Sequence, residues 1–191
     1  MTTALRKEDY YVTPEAYLAA ERISECKHEY VAGAVHAMAG ASRRHNLIVS
    51  NLLRELGYQL RGKKCVPFGS DMRLRIRETT ASFYYYPDVT VDCSDSEQNE
   101  VTDPSVIFEV LSADTDRIDS GEKLVNYRKL PSLRVYVLVN QINPAITIYR
   151  RSGEDWQMEF LGKMSAVLEL PEIECQLPLT VIYERLGFQM S

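Results

Sequence analysis

Stretches of helical and strand periodicity alternate along this chain and predict an α/β fold, a mixed central β-sheet flanked by helices. Three observations carry that expectation. Leu47, Ile48, Leu52, Leu53, Leu56 and Leu60 recur at helical spacing. Met72, Leu74 and Ile76 alternate with Arg73, Arg75 and Arg77, the period of a half-exposed strand. Residues 106–112 are apolar at nearly every position except Glu109, as in a strand buried on both faces.

Each element has its local reason. Thr13 is a cap, Pro14 sits at the first helical position and Glu15 in the first turn, so a helix is expected over 14–24. Two short extended runs around Gly33 predict a hairpin, with Glu29 entering its first strand. Ser42 caps the long helix, which runs to Gly62. Strands follow over 65–68, 72–77 and 86–93, then a polar connection over 92–104 and the buried strand over 106–112. Helical spacing returns over 116–130, with Asp119 or Ser120 as cap and Pro131 as stop. Residues 134–140 form the next strand, Asn143-Pro144 turns the chain, and 145–150 pairs back. Edge strands are expected over 156–161 and 167–170, and a short helix over 179–186.

At 191 residues the chain suits one domain with a full core, spanning 1–191. Its 45% apolar and 26% charged content is that of a soluble globular protein. No run approaches the roughly eighteen apolar residues of a membrane helix, and the N-terminus lacks the apolar centre of a signal peptide, so cytoplasm is the expected compartment. Cys26, Cys65, Cys93 and Cys175 show no paired spacing and are expected as free, mostly buried thiols, a disulfide framework being the alternative that chain size disfavours. A net charge of −5 argues against broad electrostatic affinity for nucleic acid. Contacts to a polyanion would come from local groups such as Arg43-Arg44, Arg73-Arg75-Arg77 and Arg150-Arg151, each of which also fits an ordinary solvated face.

Two apolar runs each deliver one carboxylate, Asp88 and Glu109, and the segment after them delivers an amine, Lys123. An ionised carboxylate away from water is costly unless it has a partner, so two of them suggest a shared cation. Strand carboxylates with a lysine are the parts of a metal-dependent phosphodiesterase: the ion lowers the pKa of a bound water and neutralises phosphate charge. Asp119, Lys123 and Tyr127 follow one another at intervals of four, on one helical face. The plainer alternatives are a turn residue for Asp88, a solvated helix lysine for Lys123, a helix cap for Asp119 and a packing tyrosine for Tyr127. Tyr84-Tyr85-Tyr86 could stack on bases or belong to the core.

Pro87-Asp88, then Glu109-Val110-Leu111-Ser112, then Thr115, Asp119, Lys123 and Tyr127, followed by 135–139, resemble the Uma-two family of restriction endonuclease-like proteins in the PD-(D/E)XK nuclease superfamily. The resemblance extends to 29–33 and to 42–53 with His45. It implies a restriction endonuclease-like core and Mg²⁺- or Mn²⁺-dependent hydrolysis of nucleic acid, DNA more than RNA, with a homodimer suited to two strands. By position, Asp88, Glu109 and the backbone carbonyl of Val110 would hold metal. The superfamily usually places its lysine two residues after the glutamate, where this chain has Leu111, so Lys123 would serve instead. Glu29 would join the site, with His45, Asp71, Asp119 and Tyr127 as possible supports. The alternative is a catalytically inactive nucleic-acid-binding or protein-interaction module that retains the fold.

Overall fold

Helix caps and hairpin turns form where local chemistry asks for them. The computed structural model describes residues 11–38, 40–112 and 119–188. Helix α1 (Pro14–Glu21) begins where the Thr13 hydroxyl accepts the Ala16 N–H at 3.2 Å. Strands β1 (His28–Val31) and β2 (Ala34–Ala37) form the expected hairpin, turned by Ala32 and Gly33 at φ +47° and +104°. Two left-handed residues in succession match the twist of antiparallel strands, which explains the glycine. Helix α2 (Arg43–Gln59) is capped by the Ser42 hydroxyl, which accepts the His45 N–H at 3.1 Å, and it buries Ile48, Leu52 and Leu56.

The remaining elements are strands β3 (Val66–Gly69), β4 (Arg73–Arg77), β5 (Ser82–Tyr85), β6 (Val89–Asp92), β7 (Glu100–Val101) and β8 (Pro104–Leu111). A π-helical turn (Asp119–Lys123) runs into α3 (Leu124–Tyr127). Strands β9 (Val135–Asn140), β10 (Ile146–Ser152), β11 (Asp155–Leu161), β12 (Val167–Leu170) and β13 (Cys175–Pro178) lead to α4 (Leu179–Ile182). The α/β class holds, but the strands divide between sheets. One has six strands in the order β11-β10-β9-β8-β6-β3, one has five in the order β2-β1-β5-β4-β7, and β12 and β13 form a separate ladder. The six-stranded sheet is mixed: β8 and β9 are parallel and its other pairs antiparallel.

Two hydrophobic layers follow from the pleat of β8. Phe108 and Val110 pack with Val137, Val139 and the buried face of α2. Ile107 points the other way, into a layer formed with Leu74, Phe83, Tyr85, Tyr127 and Tyr136 between the two large sheets. Alternation places Glu109 on the same side as Ile107, so its carboxylate enters that second layer.

Several sequence expectations change. The strand expected over 86–93 is shorter, β6 over Val89–Asp92 in the six-stranded sheet; the unanticipated β5 precedes it in the five-stranded sheet, and Tyr86-Pro87-Asp88 is the crossing between them. Proline, which has no N–H for a ladder, suits that crossing. Strand β13 was not anticipated, because its four residues carry no periodicity long enough to see. Of the helix expected over 116–130, the described residues form a π-helical turn over Asp119–Lys123 and α3, which ends at Tyr127; residues 116–118, like Thr115, lie outside the described residues. The terminal helix is likewise shorter than 179–186.

The expectation of four free, mostly buried thiols is corrected. Cys65 and Cys93 form a disulfide, Cys26 is exposed and free, and Cys175 is buried and free. The pairing comes from register: Val66 faces Asp92 in the β3–β6 ladder, and Cys65 and Cys93 are the next residues outward. Among the described residues no helix is long and apolar enough to cross a membrane. Alkylation of the oxidised, denatured chain should modify two cysteines, rising to four after reduction, as counted by intact-mass spectrometry.

Candidate active site

Strand register brings the two carboxylates together. Val89 faces Phe108 in the antiparallel β6–β8 pair, so one step beyond the ladder Asp88 meets Glu109. The Val110 N–H donates to Asp88 Oδ2 at 2.7 Å, and the Asp88 N–H points to Glu109 Oε2 at 3.4 Å. The first turn of α2 adds His45, whose Nε2 lies 3.0 Å from Asp88 Oδ2; its Nδ1 is buried without a hydrogen-bond partner among the described residues.

The amine arrives from the segment after β8. Lys123 Nζ donates to Glu109 Oε1 at 3.1 Å and lies 3.0 Å from Glu29 Oε1 and 3.2 Å from Asp119 Oδ1. Its side chain is 8% exposed, and the Glu109 side chain 4%. The Tyr127 hydroxyl donates to Glu109 Oε1 at 2.9 Å. Asp119, Lys123 and Tyr127 therefore share one face across the π-helical turn and α3. Beneath the ammonium lies the Tyr85 ring, 5.7 Å from Nζ to the ring centre. The Tyr85 hydroxyl accepts the Asn126 side-chain N–H at 2.7 Å, and the Tyr136 hydroxyl donates to the Asp119 carbonyl at 2.9 Å.

Burial and charge set the protonation of this group. Burial pushes the Glu109 carboxyl well above the ordinary carboxylate range, against the pull of the Lys123 ammonium, and the carboxylates of Asp119, Asp88 and Glu29 push the same way. For Lys123 burial opposes the charge, but Glu109, Glu29 and Asp119 outweigh it and hold the amine well above its usual value. Burial, with Glu109 next to it, raises Tyr127 and keeps it a neutral hydroxyl donor.

Asp88, Glu109, Lys123, Glu29, His45, Asp119 and Tyr127 are thus brought into one cluster. Asp71 is not: its carboxylate is exposed, pairs with Lys27 at 2.7 Å and is held below the usual carboxylate range by that lysine. Val110 enters the cluster through its N–H. Tyr84, Tyr85 and Tyr86 are buried and so offer no face for stacking on bases. Most of the arginine groups are also occupied. Arg73 and Arg75 pair with Glu100, Arg150 with Glu159 and Glu172, and Arg151 donates to the carbonyls of Leu133, Arg128 and Leu130.

Sequence reasoning missed Tyr85 as a floor for Lys123 and Asn126 as its anchor; the one available signal was the polar Asn126 inside the apolar Leu124–Tyr127 turn. Gln141 was also missed: it donates to the Leu111 carbonyl at 2.9 Å and accepts from the Ser42 hydroxyl at 2.6 Å, tying the end of β8 to the start of α2.

Chemically, three carboxylates surround one ammonium, and a fourth, Asp88, stands beside Glu109. All are hard oxygen donors, and the excess negative charge suits a divalent cation. Among the described residues no three His, Cys, Asp or Glu side chains converge on a point in the manner of a ready ligand cage. In this arrangement the carboxylates turn onto Lys123, His45 and the Val110 N–H. Replacing Lys123 would strand buried charge, so Lys123→Met should cost about 3–5 kcal/mol in urea denaturation. Adding Glu109→Gln to that variant should recover part of the loss, because it removes the carboxylate most deeply stranded.

Comparison with known proteins bears on the family and the fold. Residues 14–181 match the model of the family Uma2, described as "Putative restriction endonuclease". Two Synechocystis proteins are similar throughout, both described as uncharacterized. One, sll1609, is 34% identical over 163 residues, 82% of this chain and 91% of its own. The other, slr1290, is 33% identical over 181 residues, 93% of this chain and 94% of its own. A solved structure from Anabaena variabilis, described as "a putative nuclease belonging to DUF820", superimposes with a TM-score of 0.75 at 16% identity, covering 90% of this chain and 97% of that one. At that identity the likeness establishes a shared fold.

Proposed function

The chain belongs to the Uma2 restriction endonuclease family, and from that premise we propose that it is a metal-dependent endonuclease hydrolysing phosphodiester bonds, with DNA as the preferred substrate. The observation that carries the reading is Glu109, buried in an apolar layer and met there by Lys123, Tyr127 and the Asp88 backbone. A carboxylate so placed has little structural justification, since an apolar residue of similar size would fill the layer without its desolvation cost.

Asp88 and Glu109, with the Val110 carbonyl, would hold Mg²⁺ or Mn²⁺. When bound, the ion would supply a water of lowered pKa and would neutralise charge on the phosphate. Glu29 supports the ion or the lysine, and Asp119 holds Lys123 in place. Lys123 presents positive charge to the scissile phosphate. Leu111, two residues beyond Glu109, packs against the apolar layer between the sheets. The ammonium reaches Glu109 from the following segment instead, which supports Lys123 as the functional replacement. His45 orients Asp88 through the contact at 3.0 Å.

The same proposal takes 1–191 as one restriction endonuclease-like domain, places it in the cytoplasm, and makes it a homodimer presenting two sites to two strands. A second reading, an inactive binding module, draws on the three carboxylates that hold the Lys123 ammonium away from other partners.

Purified protein with Mn²⁺ should cleave plasmid DNA faster than short RNA, and Asp88→Ala and Glu109→Ala should both reduce cleavage to background in a gel assay. Cleavage that persists in both variants removes the assignment. Mn²⁺ at about one hundred times its Kd should stabilise the wild type by about 2.7 kcal/mol, and Asp88→Ala much less, in thermal melts. Absence of both cleavage and stabilisation favours the inactive module.

A further inference from the structure

The cluster is closed on one side and open on another. Glu109, Asp119 and Lys123 have side chains 4%, 3% and 8% exposed, while Glu29, His45 and Asp88 rise to 15%, 13% and 16%. Access to the deep carboxylates is therefore past Glu29 and Asp88. Glu29 lies on β1, and the strand outside it, β2, is the edge of the five-stranded sheet, exposed at every position.

Register then identifies what stands at that edge. In the antiparallel β1–β2 pair Glu29 faces His36. Directly opposed residues project from the same face of a sheet, with Cβ atoms about 4.5–5.5 Å apart. That face is the one on which Glu29 meets Lys123. His36 is exposed, and among the described residues its imidazole makes no hydrogen bond or ion pair. A row thus crosses the sheet from exposed His36 to half-buried Glu29 and on to Lys123 above the buried Tyr85 ring. Carboxylates dominate the mouth of the site and would repel a polyanion, so a strand entering there needs a donor to its phosphates. An imidazole has an N–H to give in either protonation state.

We propose that His36 is a substrate-binding residue, donating to a phosphate of the nucleic-acid strand adjacent to the scissile one as that strand passes over the β2 edge. This rests on the nuclease reading above and adds to it the direction of entry. Val35, the next residue on β2, faces the opposite side, opposed to Tyr30 in the aromatic cluster of Tyr17, Tyr30 and Tyr84. It supplies a control on the same exposed strand.

The test is fluorescence anisotropy with a labelled 20-base duplex and single strand in Ca²⁺, comparing wild type, His36→Ala, His36→Arg and Val35→Ala. A charge-assisted contact to phosphate corresponds to about tenfold in Kd, so His36→Ala should weaken binding by about tenfold and His36→Arg should restore it. Val35→Ala should stay within about twofold of wild type. Equal binding by wild type and His36→Ala overturns the proposal while leaving the nuclease reading intact, and so does an equal loss in Val35→Ala. Wild type that binds neither oligonucleotide overturns both.

Discussion

The structure turns on one buried ion cluster. Glu109 stands in an apolar strand with almost no access to water, and a carboxylate there persists only if its charge and oxygens are met. Lys123 and Tyr127 meet it from the segment after β8, and the Asp88 N–H approaches from the neighbouring strand. Those contacts in turn constrain the π-helical turn, α3 and the crossing at Pro87. The aromatic packing follows from the same requirement. The Tyr127 ring lies edge-on to both Tyr85 and Tyr136, so the hydroxyls and the apolar layer are held by one set of side chains.

The division into two large sheets has a functional consequence. A single continuous sheet would place Glu29 and Glu109 in one plane. Here β1 belongs to the five-stranded sheet and β8 to the six-stranded sheet, and their side chains meet Lys123 in the layer between them. The α2 terminus contributes from the side. Ser42 both caps the helix and donates to Gln141, which fixes His45 against Asp88. The site is thus assembled from both sheets, from the first turn of α2 and from the segment over Asp119–Tyr127 that carries Lys123.

Much of this was legible along the chain. Thr13 and Ser42 marked helix starts by cap chemistry, and the alternation in β4 and the continuous apolar run in β8 marked their strands. The spacing of four from Asp119 to Tyr127 survived a change of helix type, because a π-helical turn joined to α3 still brings all three side chains to the cluster. The strand over 86–93 was drawn too long and β5 was missed, because aromatic and β-branched residues on both sides of Pro87 have the same local preference, while the break between sheets is decided by packing. The basic stretches were harder still. Arg73 and Arg150 looked free in sequence, and only tertiary structure shows the carboxylates that neutralise them.

By itself the sequence determined the α/β class, the main elements and the anomaly of Glu109 among apolar residues, since periodicity, capping and desolvation act over a few neighbouring residues. The tertiary structure alone decided which distant groups answer that anomaly. It drew Glu29 across from a second sheet, set His45 on Asp88, sent Asp71 to Lys27 and joined Cys65 to Cys93. Those outcomes depend on strand order and register, which pair residues far apart in the chain and leave no mark in local spacing.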